Sequence, residues 1–311
     1  MSPRRAATSR LAPLTAVAVA VLQSLYQHRL LSTGQVRAIH APDATPRHVQ
    51  ALLAGLERRG LVSHARGRHG LKLWHLTNRG ADAAEASGEL DVPRKLLTPE
   101  RAAGPLQAHT LGVNEVGIAF MRAARQRGDE FGALSWRHEV VHVAGPARGR
   151  RGVELLIADA LLTYLLTDGD ALSLEYRFVE LDRATLPLDR LAAKLARYAR
   201  LERHVPTGAR EPGWRGHYPT FPGLMVVLAD RPRRLLERRR HAAIALCEAH
   251  PPLAQAEPSV SICLLDDLRD RGPFAPIFAR PTDLERAVNW LGERAERVNR
   301  DRSNEVGRGL S

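Results

Sequence analysis

Cysteine is nearly missing from this chain of 311 residues: Cys247 and Cys263 are the two it has. Two cysteines cannot build a disulfide framework, and no Cys/His array has zinc-finger spacing. A reducing cytoplasm is the expected compartment. No apolar run reaches the roughly 20 residues that a membrane span needs. The stretch from Leu11 to Leu25 follows Arg4, Arg5 and Arg10 and superficially resembles a secretory signal. It runs on through Tyr26 and Gln27 with no cleavage-like segment, so it reads as a disordered basic arm (residues 1–13) leading into a helix. Internal repeats and coiled-coil heptads are absent too. Lysine is scarce: of 46 basic residues only Lys72, Lys95 and Lys194 are lysines. Arginine is therefore the default cation, and its abundance alone is weak evidence of phosphate binding. Each lysine carries more information.

A hydrophobic fraction of 44% excludes a largely disordered chain, and the length fits two domains of ordinary size. The net charge of +12 is unevenly spread. Residues 1–100 hold 14 basic and 7 acidic residues, the remaining 211 hold 32 and 27. The N-terminal third is the better match for a polyanion.

Residues 14–90 have a specific pattern. Leu14, Val17, Val21, Leu22 and Leu25 form one helical stripe. Ser32 and Thr33 offer an N-cap to a short helix through Val36 and Ile39. Thr45 caps a third helix with Pro46 in its first turn, where a missing N–H costs nothing. That helix turns Val49, Leu52, Leu53 and Leu56 inward and ends at Arg59-Gly60. Two strand-like runs follow, Leu61 to Ala65 and Leu71 to Leu76, joined by Arg66-Gly67-Arg68-His69-Gly70. Three helices and a basic hairpin predict a winged helix-turn-helix that binds double-stranded DNA. Arg47, His48 and Gln50 sit where groove-reading residues belong, and Arg66, Arg68 and His69 suit the backbone. A winged helix used only for protein contact is the alternative.

Residues 91–108, with Pro93, Pro99 and Pro105, read as a linker. The body at 109–300 predicts an α/β fold, a mixed sheet with flanking helices, and 301–311 is a tail. Its expected elements are a helix from His109 to Arg127, a strand from Leu134, and a Gly/Arg-rich loop from Gly145 to Gly152. A strand hairpin turning at Thr167-Asp168-Gly169-Asp170 follows, then a helix from Leu188 to Arg203. Strand Leu224 to Leu228, a helix from Pro232, strand Val260 to Leu265 and a final helix from Thr282 complete it.

Asp159 interrupts an apolar strand, and period-two alternation puts Glu180 and Asp182 on one face of the next. Two carboxylates and a lysine are the constellation of PD-(D/E)XK nucleases, in which the acids hold a hard divalent cation. Asp159, Glu180 and Lys194 are the candidate catalytic residues, and Asp159, Glu180 and Asp182 the candidate ligands of Mg2+ or Mn2+. The usual lysine two residues after the glutamate is replaced by Asp182, and Lys194 on the following helix is the substitute. The alternative is a solvated strand end in which Glu180 and Asp182 pair with Arg177, Arg183 or Arg190. Cys247-x-x-His250 and the pair His138 and His142 are weaker signals, read as structural.

Across roughly residues 15–230 the chain resembles the replication-relaxation proteins of plasmids and integrative elements. The resemblance rests on the winged helix, His109-Thr-Leu, Trp136-Arg-His-Glu139, Ala158-Asp159-Ala160, Phe178-Val-Glu180-Leu-Asp182-Arg-Ala-Thr185 and Lys194-Leu-Ala-Arg-Tyr198. It departs from the family pattern at Ala158, where proline is usual, and at Ala184, where glycine is usual. The resemblance implies a cytoplasmic DNA-binding protein needed for plasmid replication and relaxation, with a restriction-endonuclease-like body. Nicking by a Mg-dependent site is the enzymatic expectation. A homodimer, or contact with other plasmid replication and mobilisation proteins, is the expected assembly. A transcriptional regulator whose second domain dimerises or binds a partner is the competing reading, and a nuclease of defence or processing the third.

Overall fold

The computed structural model describes residues 13–67, 70–88, 90, 92–98, 104, 107–147, 152–169, 171–249, 260–281 and 283–292. The expected arm at 1–13 (but for its last residue) and the tail at 301–311 lie outside them. The chain divides into two compact units, Met1–Pro99 and Glu100–Ser311.

In the first unit each helix starts at a hydroxyl that satisfies an otherwise orphaned amide. Thr15 accepts from the Ala18 N–H at the head of α1 (Ala16–His28). Ser32 forms a reciprocal capping box with Gln35 on α2 (Thr33–His40). Thr45 caps α3 (Pro46–Arg58), with Pro46 in its first turn. Then come β2 (Val62–Arg66), β3 (Lys72–Leu76) and α4 (Asn78–Glu85). A two-residue strand, β1 (Leu31–Ser32), was not expected; it pairs antiparallel with β3, giving the sheet order β1-β3-β2. Val21, Leu22, Leu25, Val36, Leu53 and Trp74 are buried in this unit's core. At about 1.5–3 kcal/mol for each large side chain, such burial outweighs the weak intrinsic stability of an eight-residue helix like α2.

The second unit is a seven-stranded mixed sheet. α5 (Gln107–Arg127) precedes β4 (Trp136–Pro146), β5 (Val153–Asp168) and β6 (Ala171–Asp182), all antiparallel neighbours. α6 (Leu188–Arg203) carries the chain to β7 (Gly223–Leu228), which pairs parallel with β6. α7 (Arg233–Glu248) precedes β8 (Val260–Leu264), parallel to β7. One sheet face packs on α6 and α7 through Phe178, Leu195, Tyr198, Leu236 and Ile244. On α5, Gly117 lies so close to Trp136 that a Cβ there would fall 2.5 Å from the indole ring.

The C-terminal end corrects the expectation. After α8 (Leu265–Arg271) and β9 (Phe278–Arg280), residues 283–288 form β10, antiparallel to β9, and not a helix from Thr282. Local periodicity favours a helix there, but β9 offers a strand edge, and Val288 and Trp290 gain burial against the body. Trp290 packs on Phe120 and Tyr164.

Candidate functional site

α3 turns Val49, Leu53 and Leu56 inward and leaves the opposite face to solvent. Arg47, Ala51, Ala54 and Arg58 are all exposed and follow one another at i, i+4, i+7 and i+11, a single stripe. Gln50 and His48, also exposed, flank it. The helix's one acid, Glu57, is engaged by the His64 ring at 2.6 Å. The stripe is thus two short side chains between two guanidiniums, with no carboxylate paired to them among the described residues. Arg66 is exposed at the end of β2, while Arg68 and His69 lie outside the described residues. Ala51, Ala54 and Arg58 were not singled out from the sequence, although their spacing from Arg47 was available.

In the second unit, a cavity of about 320 Å3 opens among Asp159 in the middle of β5, the last residues of β6 and the loop after it, α6, α7 and His109 of α5. The β5–β6 register runs from Asp168↔Ala171 to Ala160↔Val179. Just beyond that last pair, the Asp159 carboxylate accepts the Leu181 N–H at 2.9 Å. Its other oxygen accepts from the Lys194 ammonium at 2.8 Å. The same ammonium touches Glu180, whose second oxygen accepts the Tyr198 hydroxyl. His109 on α5 stands 3.3 Å from Asp159. The structure therefore brings Asp159, Glu180 and Lys194 together. Lys194 and Tyr198, four residues apart on α6, reach in from successive turns.

Electrostatics divides the two acids. Burial raises the Glu180 carboxyl to about 8, and the Asp159 charge adds to this against the pull of Lys194 and Tyr198. Burial also opposes ionisation of Asp159, but His109 and Lys194 outweigh it and hold that carboxyl well below the usual range. Burial disfavours the Lys194 charge, yet its two carboxylates win and hold the ammonium above its ordinary value. Burial thus pushes Glu180 toward its neutral form, while Asp159 is held ionised beside the Lys194 ammonium.

Asp182 does not join them as a third carboxylate. It lines the cavity, but Arg239 grips it with bonds of 2.6 and 3.2 Å and the Ala184 N–H adds a third at 2.9 Å. Among the described residues, no group of three His, Cys, Asp or Glu is arranged to hold a metal ion. Two of the expected ligands remain. Asp159 and Glu180 supply oxygen donors on neighbouring strands, the chemistry that Mg2+ or Mn2+ takes. The arginine pairings expected for a solvated strand end do not form at Glu180, which is 3% exposed. Arg177 bonds Glu175 and Arg183 bonds Asp230 instead. Sequence reasoning missed Arg239, 57 positions from its partner. His109 and Tyr198 were visible only within the family motifs.

The two histidines among the weaker signals have protein partners. His142 bonds the Tyr218 hydroxyl at 3.0 Å and His138 bonds Asn114 at 2.9 Å. Cys247 is buried, and His250 lies outside the described residues. No helix among the described residues is long and apolar enough to cross a membrane.

The sequence profile of the replication-relaxation family matches residues 22–212. No curated protein matches the chain. Among solved structures, a double-substituted form of Lactococcus lactis ZitR aligns at 21% identity with a TM-score of 0.21, covering 24% of this chain. This chain spans 51% of that one, and so low a score carries no argument about the fold.

Proposed function

Because the chain belongs to the replication-relaxation family, which points to a role in plasmid replication or relaxation, we propose that it acts there by binding duplex DNA through its first unit. The outer face of α3 carries this reading. A helix that enters the major groove needs cations toward the phosphates and short side chains toward the groove floor, and Arg47, Ala51, Ala54 and Arg58 supply both. Gln50 has the bidentate amide that suits adenine. In this winged-helix reading the β2–β3 hairpin lies along the backbone, with Arg66 and Arg68 on phosphates and His69 beside them.

Titration of the full chain with duplex DNA over a salt series tests the proposal. Removing Arg66 and Arg68 lowers affinity for every sequence and reduces the salt slope by about two phosphate contacts. Replacing Gln50 with alanine costs discrimination between specific and random duplex, about 1–3 kcal/mol, and leaves the slope unchanged. A full chain with no affinity for duplex at low salt ends the reading.

A second reading, favoured by the convergence of Asp159, Glu180 and Lys194, is a nuclease-like centre of the PD-(D/E)XK kind. Asp159 and Glu180 would hold Mg2+ or Mn2+, which when bound polarises a phosphodiester. Lys194 contributes positive charge at the same oxygens, and Tyr198 orients Glu180. Supercoiled plasmid incubated with and without each cation decides it. Cation-dependent nicking that disappears in Asp159→Asn supports the enzyme; a gel shift with no nicking removes it and leaves DNA binding intact.

A further inference from the structure

Several arginines of the second unit take acidic partners. Arg127 bonds Asp129, Arg200 bonds Glu154 and Arg269 bonds Glu115. On α7 the flanking arginines do the same: Arg233 reaches Asp267 at 2.8 Å, and Arg239 reaches Asp182. The outer face of this helix is different from those two positions. Arg231, just before the helix, and Arg234, Arg238 and His241 are all exposed. Within the helix, Arg234, Arg238 and His241 are spaced by four and three residues, which puts them on one stripe opposite buried Leu236, Ala243, Ile244 and Cys247. None of the four has an ion-pair partner among the described residues. The one acid in the first turns, Glu237, is turned aside to Arg233 at 2.9 Å.

Resting on the reading that the chain binds duplex DNA, we propose that this face of α7 is a second DNA contact, gripping the phosphate backbone without reading bases. The guanidiniums of Arg234 and Arg238, held on one side of a rigid helix with Arg231 just ahead of it, repel one another, and a polyanion relieves that repulsion by replacing its own counterions. From Arg234 to His241 the stripe rises about 10 Å, which covers roughly three phosphates of one strand at about 3.4 Å axial spacing. Ala242 and Ala245 are exposed alongside and keep the surface low enough for close approach. α7 has no Asn or Gln, so it lacks the amides that read adenine. An anionic membrane is disfavoured, because the apolar side of α7 is already buried against the sheet and cannot insert.

The test compares the full chain with Arg234→Gln/Arg238→Gln and, separately, Arg47→Gln/Arg58→Gln, on random-sequence duplex over a salt series. The α7 variant should lose about two units of salt slope and at least about tenfold in low-salt affinity, equally on any sequence. An unchanged melting midpoint, expected for exposed side chains, keeps the loss from being one of folding. If the α7 variant binds like the parent while the α3 variant is weakened, this inference is overturned and the first-unit reading stands. If only the α7 variant is weakened, the inference stands and the first-unit reading falls. Loss of binding to phosphatidylserine vesicles with an unaltered DNA slope would also overturn it.

Discussion

The outer face of α3 and the cluster around Lys194 treat charge in opposite ways. Arg47 and Arg58 stand in solvent with no carboxylate opposing them on their stripe. Lys194 sits between two carboxylates, one almost completely buried. Exposed cations cost little to maintain and remain available to an outside partner. A buried one is desolvated, and only its internal partners make it tolerable. The first arrangement suits recognition of a large anion. The second suits chemistry at a fixed point.

This contrast is broken most easily through stability. Lys194→Met removes the ammonium and leaves Asp159, whose side chain is 16% exposed, ionised without that partner, which should cost about 3–5 kcal/mol in urea unfolding. Arg47→Gln and Arg58→Gln should each stay within about 0.5 kcal/mol of the parent. Adding Glu180→Gln to Lys194→Met should recover part of the loss, because one carboxyl less then competes for the remaining donors. A Lys194→Met chain as stable as the parent would show that the cluster is solvated and the contrast false.

Acid sharpens it next. His142 is buried against Phe178 and Tyr218, and burial, with His217 and Arg137 nearby, lowers its ring from 6.5 to about 4. The fold therefore prefers the neutral ring. Its contribution is fully present above about pH 6.5 and is lost as pH falls through 4, up to about 3 kcal/mol by linkage. His142→Gln should be less stable at neutral pH, with a flatter decline between pH 6.5 and 4. Parallel profiles for parent and variant would remove His142 as the cause.

What the sequence made legible follows the range of the forces involved. α6 begins and ends where its stripe predicts, because Leu188, Leu191, Leu195 and Tyr198 repeat at helical spacing. The helix starts of the first unit were legible too, since Ser32 and Thr45 act within three residues. β10 was not, because its state depends on an edge supplied by β9 and on a pocket for Trp290 built by distant residues. At the candidate site, strand parity and the hairpin brought Asp159 near Glu180. Neither could reveal that Arg239, on a helix far along the chain, would claim Asp182. A carboxylate's partner is a property of the folded neighbourhood, which no local pattern encodes.

The smallest expected effect concerns the turn that holds Asp182 in that grip. Ala184 follows it with φ 51, in the left-handed region, and its N–H bonds the Asp182 carboxylate at 2.9 Å. This is the position at which the family resemblance leads one to expect glycine. An L-residue there costs about 1–2 kcal/mol through its Cβ. Glycine removes that cost but loses more backbone entropy on folding, about 0.5–1 kcal/mol. The balance favours Ala184→Gly by roughly 0.5–1 kcal/mol, read as a small rise in melting midpoint. The first unit provides the control. Arg29, with φ 66 at the end of α1, has a long side chain to lose as well as strain to relieve, so Arg29→Gly should gain less. If Ala184→Gly melts at or below the parent, the turn is unstrained, and the Asp182–Arg239 pair closes this side of the cavity with no backbone strain against it.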